Sequence, residues 1–146
     1  TLGATANHLK VSLTSELDPQ LRRMLVSDGP SLHAAVTNLV LNAMHAGKVV
    51  SVQSALETDE ACDSPEVRGS QMAAVTVSDD GDGPPSKVAG EIFEPFVTSK
   101  PEGLGLGLPL VARSARRLGG EVTWTRVDAT TRFRLTFSVQ SDSKEP

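Results

Sequence analysis

The chain has a single cysteine, no excess of positive charge and no long apolar run, and each absence excludes a class of protein. Cys62 alone can form neither an internal disulfide nor a zinc cluster. The net charge of -4 provides no basic surface, so nucleic acid is not expected as a partner. No apolar run approaches the ~20 residues that a membrane-spanning helix needs, and no signal-peptide pattern opens the chain. We therefore expect a cytoplasmic domain without direct membrane contact.

The size and the remaining composition are those of one globular domain. The 146 residues are 38% apolar and 22% charged, which suits a single hydrophobic core. Because the chain opens at Thr1 without a methionine, we expect it to be part of a longer protein. Residues 1–8 are predicted to be a lead-in from a missing upstream region. Residues 9–140 are the expected domain, and residues 141–146 a flexible tail.

Hydrophobic periodicity predicts strands separated by single helices. The predicted strands span residues 9–17, 21–27, 49–56, 72–77, 122–126 and 132–139. One predicted helix follows a capping Asp28 and ends at Gly47 as a left-handed terminator, and another runs from Gly107 to Leu118 and stops at Gly119-Gly120. The polar segment 57–70 is predicted to be a mobile surface loop. This order favours the α/β class, with one mixed sheet and helices on one face.

Polar side chains share one face of the first predicted helix. Asn38, Asn42 and His45 are spaced four and three residues apart, which places them in a row. An amide oxygen is a neutral, hard ligand that Mg²⁺ accepts beside water and phosphate oxygens. His45 also suits the negative end of a helix dipole. Taken alone, the two asparagines are more typical of the exposed side of an amphipathic helix.

An acidic, glycine-rich run, Asp79-Asp80-Gly81-Asp82-Gly83, follows the fourth predicted strand. A carboxylate at a strand end can accept a hydrogen bond from the exocyclic amine of adenine, whereas guanine presents a carbonyl there. The glycines let the backbone turn closely beneath a base. The run does not match an EF-hand, because Gly81 occupies a ligand position. A plain acidic turn is the alternative interpretation.

Glycines alternate with leucines directly before the second predicted helix. In Gly103-Leu104-Gly105-Leu106-Gly107, backbone amides at a helix start can donate to phosphate oxygens without hindrance from side chains. The spacing matches neither the dinucleotide fingerprint nor the Walker loop. A Rossmann enzyme and a P-loop ATPase are therefore excluded.

The segment between these two runs carries two phenylalanines and a lysine. Phe93 and Phe96 are expected to anchor the base of a short lid on the core. Lys100 can reach a terminal phosphate as a mobile point charge.

The segments 38–43, 79–83, 91–100 and 103–108 resemble, in this order, the N, G1, F and G2 boxes of sensor histidine kinases. The third segment is closest to the nitrogen-sensor type. These kinases belong to the GHKL ATPase family, and the resemblance covers residues 9–139. It implies a two-layer α/β sandwich that binds ATP and Mg²⁺ between its helices and a loop lid.

The resemblance also implies roles for individual residues. Asn42 would be the Mg²⁺ ligand, Asn38 would order water and phosphates, Asp79 would accept the adenine amine, and Gly81 and Gly83 would lie beneath the base. The other implied cofactor-binding residues are His45, Lys100, Gly103, Leu104, Gly105, Leu106 and Gly107. Because Asn38 stands where hydrolysing relatives carry a glutamate, fast ATP hydrolysis is not expected.

No phosphoacceptor histidine is recognisable among His8, His33 and His45, since none opens a helical segment beside an acidic residue. The implied reaction is transfer of the γ-phosphoryl group to a histidine on a separate dimerisation domain of the same kinase. A cognate response regulator would act downstream in two-component signalling. The isolated domain is expected to be a monomer, and the full-length protein either soluble or membrane-anchored.

Two alternatives stay open. Residues 35–38 and 45–46 are also similar to the anti-sigma-factor type of serine kinase in the same superfamily, although the intact Phe-Glu-Pro-Phe segment and the three glycines argue against it. A non-catalytic module that has lost nucleotide binding is the other alternative, and no degraded box supports it.

Overall fold

The structure is a computed structural model that describes residues 2–57, 70–87, 89–94 and 107–141. Its helices are α1 (Leu2–Leu9), α2 (Gly29–Ala46) and α3 (Gly107–Arg117), with a 3₁₀ helix at Pro19–Arg23. Its strands are β1 (Ser12–Glu16), β2 (Met24–Leu25), β3 (Val49–Glu57), β4 (Ser70–Asp79), β5 (Val122–Val127) and β6 (Thr130–Ser141). Within these ranges, no helix is both long and apolar enough to cross a membrane.

In the described part of the chain, six strands form one mixed sheet in the order β1-β3-β4-β6-β2. β1 is parallel to β3, and the other neighbouring strands are antiparallel. β5 pairs with the first half of β6 and β2 with its end. β4 therefore lies in the interior of the sheet, between β3 and β6. This arrangement confirms the predicted mixed sheet.

Strand alternation gives the sheet one apolar and one polar face. Val77 of β4 pairs with Phe133 of β6, and Val50 of β3 lies on the same face, two positions from the partner of Val77; all three are fully buried. The same core cluster contains apolar residues of all three α-helices, so the helices cover this face. On the opposite face, Arg134 of β6 forms an ion pair with Glu57 of β3. The predicted two layers are therefore present, with the helices on one side.

α2 begins where the sequence predicts it, at the Asp28 cap. The carboxylate accepts hydrogen bonds from the Ser31 N–H at 3.1 Å and from the Ser31 hydroxyl at 2.6 Å. These bonds, the hydroxyl first, hold the pKa of Asp28 below its usual value. α3 also ends as predicted, at Gly119, which has a φ of +78°. Both helix ends thus follow from local capping chemistry.

The prediction that Gly47 is a left-handed terminator is wrong. Gly47 has a φ of -136° and a ψ of 179°, an extended conformation open to any residue, and its N–H donates to the Ala43 carbonyl. Glycine is needed there for space, because a Cβ atom would lie 2.5 Å from Oδ1 of Asp80.

The predicted lead-in is a helix, and the first predicted strand starts too early. Ala6 of α1 is buried in the core, and Leu9 packs against it, three residues apart at helical spacing. Lys10 then takes a φ of 58°, and the strand begins only at Ser12. The apolar pattern of residues 9–13 fits one strand, but its first member, Leu9, completes a helical stripe with Ala6.

The second predicted strand, residues 21–27, is largely the 3₁₀ helix, and only Met24–Leu25 is strand. Asp18 caps this helix by accepting from the Gln20 N–H at 3.0 Å, and its other oxygen accepts from the Leu56 N–H at 2.9 Å. Tertiary contact with β3 therefore favours the turn over the strand.

The remaining strands are confirmed and are longer than predicted. Ser141 is the last residue of β6 and does not belong to a tail. The bulk of the predicted loop (58–69, with Cys62), residues 95–106 and the tail residues 142–146 lie outside the described residues.

Candidate functional site

Helix α2 contacts the start of α3 near its middle and the loop that follows β4 at its C-terminal end. Near its middle, Asn38 lies beside α3, because a Cβ atom on Gly107 would be 4.0 Å from the Asn38 Oδ1 atom. At its C-terminal end, the Ala46 carbonyl contacts Gly81 so closely that a Cβ atom on Gly81 would collide with it. Asn38 and Ala46 are eight positions apart on the helix, which corresponds to about 12 Å. A single rigid helix thus sets the distance between the two ends of the site.

Asp79 is the buried acidic residue of the site. It ends β4, and its side chain is only 3% exposed on the helix-covered side of the sheet. Its Oδ1 atom accepts the Gly81 N–H at 2.9 Å. Burial raises the pKa of Asp79, while the Gly81 hydrogen bond and the Arg126 charge lower it in part. A carboxylate placed in this way can accept a hydrogen bond from a ligand amine.

Asp80, the next residue, has a structural environment. Its Oδ1 atom accepts the N–H groups of Lys48 at 2.8 Å and of Val49 at 3.0 Å, in the turn between α2 and β3. The Val49 and Lys48 hydrogen bonds lower the pKa of Asp80, which is exposed. The two adjacent carboxylates therefore have different environments. Asp79 is buried in the site, and Asp80 accepts backbone N–H groups in the turn beside it.

The glycines of this loop are placed by sterics. Gly81 is buried against the end of α2, where no side chain fits. Gly83 has a φ of +78°, in the left-handed region that favours glycine. Gly81 therefore serves close packing and Gly83 a left-handed turn, and their position beneath a base stays a prediction.

The polar row on α2 is present, and its members differ in exposure. Asn38 and Asn42 are half-buried, whereas His45 is exposed. Within the described ranges, no group of three or more His, Cys, Asp or Glu side chains could hold a metal ion. An asparagine amide beside a ligand's phosphate oxygens fits Mg²⁺, which keeps several waters and takes few protein ligands. The donor chemistry of the asparagines therefore fits magnesium.

The predicted phosphate-binding segment is described only at its end. Gly107 is the first residue of α3, next to Asn38. The predicted site residues Lys100, Gly103, Leu104, Gly105 and Leu106 lie outside the described residues, as does Phe96.

Phe93 contacts the core as predicted, whereas the lid that it is expected to anchor lies outside the described residues. Its ring meets that of Phe133 edge-on, with centroids 6.3 Å apart, and the adjacent Ile92 is buried. The segment before the glycines is therefore fixed to the sheet core at this point.

The sequence interpretation missed two residues beside Asp79. Thr131 pairs with Asp79 across β4 and β6 and is 1% exposed. Arg126 of β5 donates from Nη1 to the Thr131 hydroxyl at 2.7 Å and to the Gly81 carbonyl at 2.5 Å. The alternation of inward and outward side chains along the two strands of the hairpin could have identified them. Arg126 is two positions after Trp124 and Thr131 two before Phe133, so both lie on the apolar face of the hairpin.

Comparison with known proteins finds similarity to ATPases and to sensor histidine kinases. Residues 27–141 match the family described as histidine kinase-, DNA gyrase B- and HSP90-like ATPases. The sensory histidine kinase/phosphatase NtrB of Rhodobacter capsulatus is 30% identical over 131 residues, which are 87% of this chain and 37% of that protein. The sensor histidine kinase ZraS of Klebsiella oxytoca is 32% identical over 113 residues, 77% of this chain and 22% of that protein. The chain thus spans less than two fifths of the length of these curated relatives.

Solved structures share the fold. The mycobacterial sensor histidine kinase MprB superposes with a TM-score of 0.72 at 23% identity, covering 96% of this chain and 90% of that one. The nucleotide-free catalytic domain of histidine kinase ThkA superposes with a TM-score of 0.70 at 20% identity, covering 96% and 85%. These likenesses confirm the predicted architecture of a mixed sheet covered by helices.

Proposed function

The chain belongs to the family of histidine kinase-, DNA gyrase B- and HSP90-like ATPases and is an ATP-binding catalytic domain of the sensor histidine kinase type. From this we propose which of its residues bind ATP and which reaction the domain supports. The domain binds ATP with Mg²⁺ and donates the γ-phosphoryl group to a histidine on a separate dimerisation domain. The observation that carries this proposal is the buried Asp79 at the end of an interior strand, beside the two glycines of the loop.

Asp79 is proposed to select adenine. One carboxylate oxygen is held by the Gly81 N–H at 2.9 Å, so the group has a defined orientation. Burial excludes water that would otherwise compete for the carboxylate. An amine donor at the purine 6-position is attracted to this group, and a carbonyl at the same position is repelled.

Asn42 is proposed to hold Mg²⁺ through its amide oxygen, with Asn38 ordering the phosphates and their waters beside the start of α3. Asn38 lies next to Gly107, the first residue of α3, and the first N–H groups of a helix have no partner within that helix. Bound Mg²⁺ supplies neutralisation of phosphate charge. From the sequence, Lys100, His45 and the glycines at 103–107 complete the phosphate contacts.

The contribution of this chain to catalysis is positioning. Phosphoryl transfer needs in-line placement of acceptor and donor and stabilisation of charge, and no covalent intermediate on the domain. Asn38 cannot accept a proton, so water is not activated and ATP is kept for the histidine acceptor. The acceptor belongs to the dimerisation domain, and a cognate response regulator receives the phosphoryl group from it. The domain acts as a monomer in the cytoplasm, whether or not the full-length kinase is membrane-anchored.

Calorimetric titration with a non-hydrolysable ATP analogue, with and without Mg²⁺, tests the site. We expect Asn42→Ala to lose most of the Mg²⁺-dependent gain in affinity and little of the Mg²⁺-free affinity. A matched control is Asn7→Ala, on α1 at an exposed position. Equal losses with and without Mg²⁺ would show that Asn42 is not the metal ligand.

Transfer of labelled phosphate to an added substrate tests the reaction. A helical hairpin carrying a phosphoacceptor histidine should accept label from ATP in the presence of this domain. Label on the serine of an anti-anti-sigma protein instead would identify the serine-kinase alternative. Absence of nucleotide binding at millimolar concentrations would identify a module without catalytic function.

A further inference from the structure

Arg126 reaches from the terminal hairpin into the loop that follows β4. It lies on β5 opposite Thr131 of β6, and Thr131 lies opposite Asp79 of β4, so the three residues form one row across the sheet. A single guanidinium nitrogen, Nη1, donates to the Gly81 carbonyl at 2.5 Å and to the Thr131 hydroxyl at 2.7 Å. Both hydrogens of that nitrogen are therefore used, and the bond to Gly81 joins residues 45 positions apart in the chain.

The path of the Arg126 side chain depends on Gly83. A Cβ atom on Gly83 would lie 3.2 Å from Cδ of Arg126 and 3.1 Å from the Thr131 hydroxyl oxygen, closer than ordinary van der Waals contact. Gly83 also has a φ of +78°, which strains any other residue. The loop is therefore shaped around the arginine stem as well as around the end of α2.

We propose that Arg126 is a positioning residue for adenine recognition: its guanidinium fixes the Gly81 carbonyl and the Thr131 hydroxyl, and thereby the orientation of Asp79 toward the purine amine. The inference rests on the proposed nucleotide site and adds a residue that acts through others. Gly81 is the direct link, because its N–H donates to Asp79 while its carbonyl accepts from Arg126. A shift of Gly81 therefore alters both its hydrogen bond to Asp79 and its hydrogen bond from Arg126.

The charge of Arg126 acts in the same direction as its hydrogen bonds. Among the groups that influence Asp79, burial and the Asp80 charge raise its pKa, whereas the Arg126 charge lowers it. The neighbouring end of α2 and the turn after it carry His45 and Lys48, and the loop carries Asp82. Removal of Arg126 therefore moves the pKa of Asp79 further upward and favours its protonated form.

Titration of Arg126→Ala with ATP and with ITP separates positioning from general effects. ITP has a carbonyl in place of the adenine amine and the same triphosphate. We expect the variant to bind ATP about tenfold more weakly, a change typical of one lost charge-assisted hydrogen bond. ITP binding should change much less. The loss of ATP affinity in acid should begin at higher pH in Arg126→Ala than in the unaltered chain. Protonation of the nucleotide itself affects both proteins equally and cancels in this comparison.

Arg132→Ala is the matched control. Arg132 is an exposed arginine in the same hairpin, and it lies next to Thr131 on β6, so its side chain is on the other face of the sheet. It removes the same charge and should leave the ratio of ATP to ITP affinity unchanged. Arg126→Lys should retain part of this ratio, and Arg126→Gln replaces Arg126→Ala should the alanine variant fail to fold.

Equal weakening of ATP and ITP by Arg126→Ala, or an unchanged ATP affinity, overturns the inference and leaves the proposed nucleotide site intact. Failure of the unaltered chain to bind ATP overturns the nucleotide site itself, and the role of Arg126 with it. The two failures are therefore distinguishable in one set of titrations.

Discussion

At the scale of single residues, Asp79 and Asp80 have opposite environments although they are adjacent. Asp79 points to the covered side of the sheet, where burial raises its pKa. Asp80 is exposed, and the N–H groups of Val49 and Lys48 lower its pKa. The end of β4 causes the difference: Asp79 is its last residue and faces the covered side, whereas Asp80 lies just beyond the strand and reaches the backbone at Lys48 and Val49. A buried carboxylate destabilises the fold when it is charged, which is tolerated where it binds a ligand.

Asp79→Asn is expected to weaken ATP binding about tenfold or more and to raise the melting temperature at neutral pH. Asparagine keeps an acceptor for the Gly81 N–H but can present an amide donor to the adenine amine. In the wild type, the folded-state pKa of Asp79 lies above the unfolded value of 3.8. The native state therefore binds more protons between these two pKa values, and stability falls as pH rises through that window. The variant lacks this loss.

Calorimetric melting and titration with ATP and GTP measure both effects. Asp80→Asn is the control, since its turn keeps an acceptor and its discrimination between ATP and GTP should not change. Unchanged discrimination in Asp79→Asn would contradict the proposed role in base selection.

At the scale of elements, the end of α2 and the end of β4 are packed directly on each other. Gly47 leaves space for the Asp80 carboxylate, and Gly81 leaves space for the Ala46 carbonyl. Asp80 in turn accepts the N–H groups of Lys48 and Val49. Because the asparagines of α2 belong to the same rigid helix, this junction sets their position relative to Asp79.

Gly81→Ala is expected to destabilise the fold by about 1–3 kcal/mol, as overpacking does in a filled site. The added methyl group would collide with the Ala46 carbonyl and push α2 away from the loop. Gly29→Ala is the control, because a Cβ atom at the first turn of α2 meets nothing within 4 Å. Urea unfolding of both variants measures the difference. Equal free energies of unfolding for Gly81→Ala and Gly29→Ala would contradict the prediction, because the junction would then accommodate the added methyl group.

At the scale of the whole molecule, carboxylates connect parts of the chain that are distant in sequence. Asp18 ties the 3₁₀ helix to β3 through the Leu56 N–H at 2.9 Å, and Asp80 ties the loop after β4 to the start of β3. Asp28 starts α2, and the charge of Arg117 on α3 also lowers its pKa. Each of these groups is stabilised in its charged form by the folded state.

Stability is therefore expected to fall in acid. The folded-state pKa values of Asp18, Asp28 and Asp80 are lowered from 3.8, so their stabilisation is complete above 3.8 and is lost as pH falls through the lowered values. Melting temperature recorded across the acid range checks this. Asp18→Asn should melt at a lower temperature near neutral pH and show a shallower acid decline. Parallel curves for the variant and the wild type would contradict the assignment.

Much of the fold could be predicted from local patterns. Helix α2, helix α3 and strands β3 to β6 follow from periodicity and capping residues, and Asp28 and Gly119 act as predicted. The N-terminal region could not be predicted in this way. Its short elements depend on contacts with α2 and β3, and the alternation at residues 9–13 fits a strand as well as a helix end.

The order of the asparagine, aspartate and glycine motifs, and with it the class of ligand, was determined by the sequence alone, because hydrogen-bonding type and backbone freedom are properties of the residues themselves. The tertiary structure alone decided that Asp79 is buried while Asp80 caps a turn, that Gly47 serves close packing, and that Arg126 meets Gly81. Burial and contact across strands arise only when segments far apart in the chain are brought together.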